Sequence, residues 1–256
     1  MSKKETLLQR LDEIGQSLAQ SEGALALLGL GSVGLELARL DEHSDLDFFV
    51  IVEPGYKARF IGELDWLDRI QPVAYAFLNT VDGYKLLFAD GIFCEFAVFE
   101  PDELANIPFT PGRIVWQAAG FDAAVLERPS AARPERSIEF LVGEAATNLY
   151  VGLGRYRRGE KLSAARFIQG YAVDRVVELA ARIEAAQAGY ADPFDGVRRF
   201  EQRFPRTAVH LPHFLPGYDH TPTAAQAILE FLDQHFPVNA AIKQAILSLI
   251  NEKYKT

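Results

Sequence analysis

Gly29-Leu30-Gly31-Ser32-Val33-Gly34 and, after nine intervening residues, Ser44-Asp45-Leu46-Asp47-Phe48-Phe49-Val50-Ile51-Val52-Glu53 form the stretch whose reading decides the fold. A glycine-serine turn follows an apolar run and opens a short helical segment. Two carboxylates one residue apart then lead into an apolar strand. Side chains alternate faces along a strand, so Asp45 and Asp47 are expected to point the same way. Two ionised carboxylates at the head of a buried strand repel each other, and a divalent cation between them removes that cost. The pattern points to a site for a metal ion and a nucleotide.

Gly29, Gly31 and Gly34 also spell G-x-G-x-x-G after an expected strand, with Glu53 ending the next one, as in a dinucleotide-binding turn. Three features count against that reading. The nine residues between Gly34 and Ser44 are few for a crossover helix and its return turn. The aspartates open the second strand, whereas a ribose-binding acid closes it. The remainder of the chain does not alternate strand and helix, as a doubly wound sheet requires.

The 256 residues, 49% apolar and 24% charged, suffice for one large domain or two smaller ones, each with a core. The single cysteine, Cys94, rules out an internal disulfide and fits a reducing compartment. No signal-peptide pattern or membrane-length apolar run is read, so a cytoplasmic protein without membrane partners is expected. A net charge of −9 argues against a nucleic-acid polymer as partner and suits a cationic small molecule.

In chain order, Leu7, Leu8, Leu11, Ile14 and Leu18 recur at helical spacing over residues 3–20. Residues 24–30 read as a buried strand and 60–70 as a helix. The period then falls to two: residues 72–79, 84–89 and 92–100 are expected strands, joined through Asp82-Gly83 and Asp90-Gly91 as an antiparallel meander. A short helix begins at Pro101, and residues 113–127 fit neither pattern cleanly. Residues 129–136 read as a linker. Beyond it the pattern is helical, over 138–157, 162–188, 194–204, 224–235 and 239–253, with Gly159 as a helix stop and a Pro/His-rich loop over 205–222. The expected architecture is α+β, with a mixed sheet and flanking helices over residues 1–130 followed by a helical bundle over residues 137–256.

Glu95 is the only charged position in residues 92–99, on the face of Phe93, Ala97 and Phe99, and a carboxylate there needs a partner. If its strand lies beside that of Asp45 and Asp47, three carboxylates converge, an arrangement that binds Mg²⁺ and aligns a hydroxyl on a nucleotide α-phosphate. Alternatively all three sit at sheet ends facing water. His210, His213, Asp219 and His220 have too loose a spacing, with Pro212 and Pro216 between them, to favour zinc. The arginines 155, 157, 158, 166 and 175 read as the wet faces of helices.

Gly31-Ser32, then Ser44-Asp45-Leu46-Asp47 leading a strand, then a later acid on another strand, resembles the polymerase-beta-like nucleotidyltransferase superfamily. Within it the chain is most similar to small antibiotic nucleotidyltransferases of the lincosamide-modifying type. Phe93-Cys94-Glu95-Phe96 with the following Glu100-Pro101-Asp102-Glu103-Leu104, and Asn148-Leu149 with Arg158-Gly159-Glu160, extend the likeness over about residues 20–190.

The resemblance implies a Mg²⁺-dependent transferase moving a nucleoside monophosphate from an NTP, expected to be ATP, to a hydroxyl of a small molecule such as an antibiotic. Asp45, Asp47 and Glu95 would hold the metal, Glu95 alternatively serving as the base. Gly31, Ser32 and Ser44 would contact the nucleotide, the glycine by close approach and the hydroxyl by donation to phosphate. An ordinary helix N-cap is the competing reading of Ser32. Leu35-Glu36 stand where the family has a basic-glycine pair. Arg39 is the substitute phosphate contact, weighed against a solvated helical arginine. Glu144 resembles an acid that kanamycin-modifying members contribute across a dimer interface, weighed against a partly buried structural glutamate. A homodimer is implied. The reading from another class is a nucleotidyltransferase-shaped module that binds a nucleotide or a protein partner without catalysis.

Overall fold

The computed structural model describes residues 2–107, 109, 111–126, 135–187 and 195–251. The expected linker at 129–136 falls almost wholly outside them. The chain divides into two compact units, residues 1–132 and 133–256.

The first unit is built on helix α1 (Lys3–Ala19) and a six-stranded mixed sheet: β1 (Ala24–Gly29), β2 (Leu46–Val52), β3 (Val73–Thr80), β4 (Gly83–Phe88), β5 (Phe93–Phe99) and β6 (Arg113–Gln117). The strand order is β3-β4-β5-β2-β1-β6. β2 and β5 run parallel and every other pair is antiparallel. Because β1 and β2 are antiparallel, the turn between them is not the crossover of a dinucleotide-binding unit.

Ser2 starts α1 with a capping box closed by Glu5, and the helix lays Leu7, Leu11, Ile14 and Leu18 on the sheet. Leu46, Phe48, Val50 and Val52 meet it from β2, and Cys94, Phe96 and Val98 from β5. Residues 60–70 form not one helix but two short ones, α2 (Lys57–Gly62) and α3 (Asp65–Asp68). Glu63 is extended (φ −130°, ψ 114°) and breaks the run. The break delivers Trp66 into the core, where it is fully buried with Nε1 donating to the Phe60 carbonyl. On the opposite face a smaller cluster gathers Ala26, Leu28, Ile51, Phe99, Leu104 and Phe109. The ambiguous stretch from residue 113 supplies β6, whose register with β1 shifts between Leu27 and Leu28. That irregularity is why no clean alternation shows in the sequence.

The second unit is helical: α4 (Ile138–Arg157), α5 (Lys161–Ala165), a π-helical stretch (Arg166–Ala172), α6 (Val173–Ile183), α7 (Phe200–Arg203), α8 (Pro205–Ala208), α9 (Leu211–Phe214), α10 (Thr221–His235) and α11 (Ala240–Asn251). The stretch expected as a loop at 205–222 folds instead into α8, α9 and a 3-10 turn at Tyr218–His220. Pro205 and Pro212 sit in the first turns of short helices and Pro222 in that of α10, where a missing N–H costs nothing, while Pro216 lies between helices.

Glu184, at the end of α6, reaches the start of α8. Its carboxylate accepts from the Thr207 hydroxyl at 2.7 Å and from the Thr207 and Arg206 amides at 2.6 and 3.2 Å. Burial pushes this carboxyl up, but the donors from Thr207 and Arg206 outweigh it, and the net shift is below the ordinary glutamate value. The folded chain therefore holds fewer protons here than the unfolded one. The stabilisation is complete above the unfolded pKa, about 4.3, and is lost as pH falls through the lower folded value. Glu184→Gln is expected to flatten the acid limb of a stability–pH curve in that window while lowering stability at pH 7, as urea melts at stepped pH would show.

Candidate functional site

Three backbone segments cross near the start of β2, and glycines make the crossing possible. A Cβ on Gly34 would stand 2.7 Å from the Gly29 carbonyl oxygen, and one on Gly112 would stand 2.6 Å from the same atom. A Cβ on Gly29 would stand 2.8 Å from the Val33 oxygen. The spacing that imitated a dinucleotide fingerprint is thus a packing requirement among residues 28–34 and 112. The short helical segment expected after the glycine-serine turn takes the form of two 3-10 turns, Gly31–Val33 and Leu37–Arg39.

Gly31 is the exception in this set. Its φ of +52° is left-handed, and a Cβ there would lie 3.1 Å from Asp47 Oδ2. The turn is folded onto the aspartate: the Leu30 amide donates to the Asp47 carbonyl at 2.8 Å. The Ser32 hydroxyl makes no hydrogen bond to another described residue. Gly31→Ala is expected to cost roughly 1–2 kcal/mol from the left-handed backbone alone. By pressing on Asp47 it should also weaken Mn²⁺ binding, and thermal melts with a Mn²⁺ titration would check both effects.

Asp47 lies opposite Glu95 in the parallel register of β2 and β5, and registered neighbours share a face. Asp45 precedes β2 by one residue and is half-buried, like Asp47. Cys94 is buried one position from Glu95. Burial pushes its thiol far up, Arg10 pulls it down, and Asp45 and Asp47 each raise it further. Glu95 has the partner its sequence context called for. Lys85, its register neighbour on β4, forms an ion pair with it at 3.3 Å, and Asn79 Nδ2 donates to it at 3.5 Å. A charged row, Lys85–Glu95–Asp47, therefore crosses three strands, one cation followed by two carboxylates.

Ser44 closes a local turn, its hydroxyl accepting from the Asp41 amide at 3.0 Å and donating to Asp41 Oδ1 at 3.2 Å. Arg39 forms an ion pair with Glu36. Glu144 lies in α4 in the second unit and is exposed, where partial burial was expected. His210 packs on the rings of Phe214 and Phe231. No group of three or more His, Cys, Asp or Glu side chains among the described residues is arranged to hold a metal ion.

Mg²⁺ asks for less than three protein ligands. It is ordinarily held by one or two carboxylates, with water and substrate phosphates completing an octahedron. Asp45 and Asp47 are side chains of the kind that demand calls for, and a Cβ at Gly31 would crowd Asp47 Oδ2 at 3.1 Å. One cation that sequence reasoning missed, Lys85, stands beside Glu95. Lys85 was readable as the one charge in its strand, although its neighbour was not. Arg113 lay in the stretch without clean alternation, and its Nε and Nη2 both donate to the Val33 carbonyl, at 3.3 and 3.2 Å.

No protein-family model matches the chain, and no curated protein is similar to it. Among solved structures, an aminoglycoside 6-adenyltransferase from Bacillus subtilis aligns over 96% of this chain and 92% of that one, at 12% identity and a TM-score of 0.34. At that score the likeness carries no weight of its own, and function has to be argued from the site. No helix among the described residues is long and apolar enough to cross a membrane.

Proposed function

We propose that this protein is a metal-dependent nucleotidyltransferase that moves a nucleoside monophosphate from a nucleoside triphosphate, ATP in the first instance, to a hydroxyl of a small acceptor of the antibiotic type. One observation supports this most directly: the Gly31–Ser32 turn folds onto the carboxylate of Asp47, which stands beside Glu95 on a parallel neighbouring strand. Asp45 and Asp47 would hold Mg²⁺, which supplies charge neutralisation on the phosphates.

The chain's own groups divide the remaining work. The Ser32 hydroxyl and the close approach at Gly31 serve the phosphates. Glu95, held in place by Lys85 and Asn79, is positioned to accept the proton of the attacking hydroxyl. The bond formed is between that oxygen and the α-phosphorus. The bond broken is the one to the bridging oxygen, and pyrophosphate carries the electron pair away. Positioning and electrostatics do most of what such a transfer needs.

The test is transfer of label from α-labelled ATP or GTP, with Mg²⁺, to a panel of polyhydroxylated cationic compounds. Labelled product that disappears with EDTA supports the proposal. Binding of Mg²⁺–ATP without transfer to any acceptor would instead indicate the non-catalytic module, and absence of both would remove the nucleotide reading.

A further inference from the structure

The two edges of the first unit's sheet are finished differently. β6 spans five residues, carries Arg113, and packs Val115 and Trp116 against the core that α1 covers. β3 spans eight residues, Val73–Thr80, without a charge, a proline or a glycine. Among the described residues its strand neighbour is β4 alone. A strand paired on one side leaves every second backbone N–H and C=O turned outward. Such an edge recruits another strand unless charge, proline or a covering element blocks it. The described structure leaves this one open: Ala74, Tyr75, Ala76, Phe77 and Leu78 are all exposed, so both faces of the strand meet solvent. Tyr75 and Phe77 are 55% and 52% exposed, and Val81 just beyond is 82% exposed.

Charge and symmetry say what the edge pairs with. The chain carries a net charge of −9, so a second copy comes close most easily where charge is absent, and Val73–Thr80 is such a stretch. Register shifts between Val73 and Tyr75 and between Leu78 and Thr80 leave Tyr75–Leu78 as the flat part. Directly opposed residues of an antiparallel pair share a face. Two copies related by a two-fold axis through the sheet therefore pair residue numbers that are both odd or both even. Centred on Ala76, that rule sets Tyr75 of each copy opposite Phe77 of the other, with the small Ala76 on the axis. Aromatic cross-strand pairs are among the stabilising ones. They lie on the face of the charged row, since Phe77, Lys85, Glu95 and Asp47 are in register, whereas Ala76, in register with Leu86 and Cys94, lies on the face of α1. A foreign strand would have to bring a matching pattern, which a second copy has by symmetry.

We infer that β3 is a dimer interface, at which a second copy of this chain adds its own β3 in antiparallel register about Ala76 and joins the two sheets into one. This interface lies wholly in the first unit and stands whether or not the chain transfers a nucleotide. A strip one strand wide buries less than about 1,200 Å² in total, so association in the micromolar range is expected.

The experiment is sedimentation velocity over roughly 1–100 µM protein on wild type and Ala76→Lys, with oxidative cross-linking of Ala76→Cys. Lysine at position 76 sets like charges face to face on the axis, and the exposed position lets the monomer keep its fold. Cys94 is the sole native cysteine and is buried, so it does not compete for cross-linking. Val81→Cys controls for chance collision: five positions from the axis, its two copies lie roughly 33 Å apart, too far for a disulfide. The expected result is a wild-type dimer within that range, at least tenfold weaker association in Ala76→Lys, and a disulfide-linked dimer from Ala76→Cys but not from Val81→Cys. Should the lysine form melt early, the comparison of the two cysteine forms decides alone. Wild type that stays monomeric throughout overturns the interface. A dimer unchanged in Ala76→Lys, with no cross-link in Ala76→Cys, places the contact elsewhere and overturns it too. Monomeric wild type that binds a synthetic peptide of residues 73–80 would assign the edge to a foreign strand and overturn the second copy.

Discussion

Replacing Asp45 and Asp47 together by asparagine is expected to reduce nucleotidyl transfer by on the order of 10³–10⁵-fold while leaving the fold intact. The magnitude follows from what the pair supplies. Charge neutralisation by a bound metal is worth several kcal/mol in the transition state, and each 1.36 kcal/mol is about tenfold in rate. The substitutions are isosteric, and both positions are only half-buried at the edge of the sheet's polar end, so packing is little disturbed. Initial rates of label transfer, with circular dichroism and a thermal melt as controls, decide it. Transfer within tenfold of wild type would mean that the aspartates do not hold the catalytic metal.

The second large effect is on stability. Trp66→Ala is expected to destabilise the first unit by about 3–5 kcal/mol, the usual cost of deleting a large buried aromatic side chain. Trp66 is fully buried. Its ring meets Phe96 edge-on at 5.3 Å, and Phe96 stacks on Phe48 at 5.2 Å and on Tyr84 at 5.8 Å. Phe48 follows Asp47 and Phe96 follows Glu95 on their strands, and Tyr84 precedes Lys85. The aromatic stack on one face of the sheet therefore fixes the register of the charged row on the other. Loss of Trp66 should lower the unfolding midpoint by roughly 10 °C or more and weaken Mn²⁺ binding in the protein that remains folded. A melt shifted by less than a few degrees would show that the stack is not what holds the strands.

What the sequence disclosed follows the range of the forces involved. The apolar run after Asp47 marked β2 as a strand, and the Asp-Gly turns marked the β3–β4–β5 meander, because both signals are local. That Asp47 and Glu95 are neighbours depends on β2 choosing β5 in parallel, a pairing between distant segments that no local pattern encodes. Only the family resemblance led to it. Lys85 was visible as a residue but not as a partner for the same reason.

The short helical segment expected after the glycine-serine turn is broken into two 3-10 turns, with Gly29, Gly34 and Gly112 closely packed beside it. The loop expected at 205–222 is instead mostly helical. Prolines that discourage a helix in mid-run are well placed in the first turns of short ones. Glu144 was placed on a helix correctly, but its exposure depends on which face of α4 the bundle covers.

The most direct measurement is Mn²⁺ binding by electron paramagnetic resonance, with and without a non-hydrolysable ATP analogue, in wild type and in Asp45→Asn/Asp47→Asn. Wild type should bind the ion more tightly when the analogue is present, since the phosphates complete its coordination, and the double variant should lose that binding. Equal Mn²⁺ affinity in the two proteins would contradict a metal site at the head of β2.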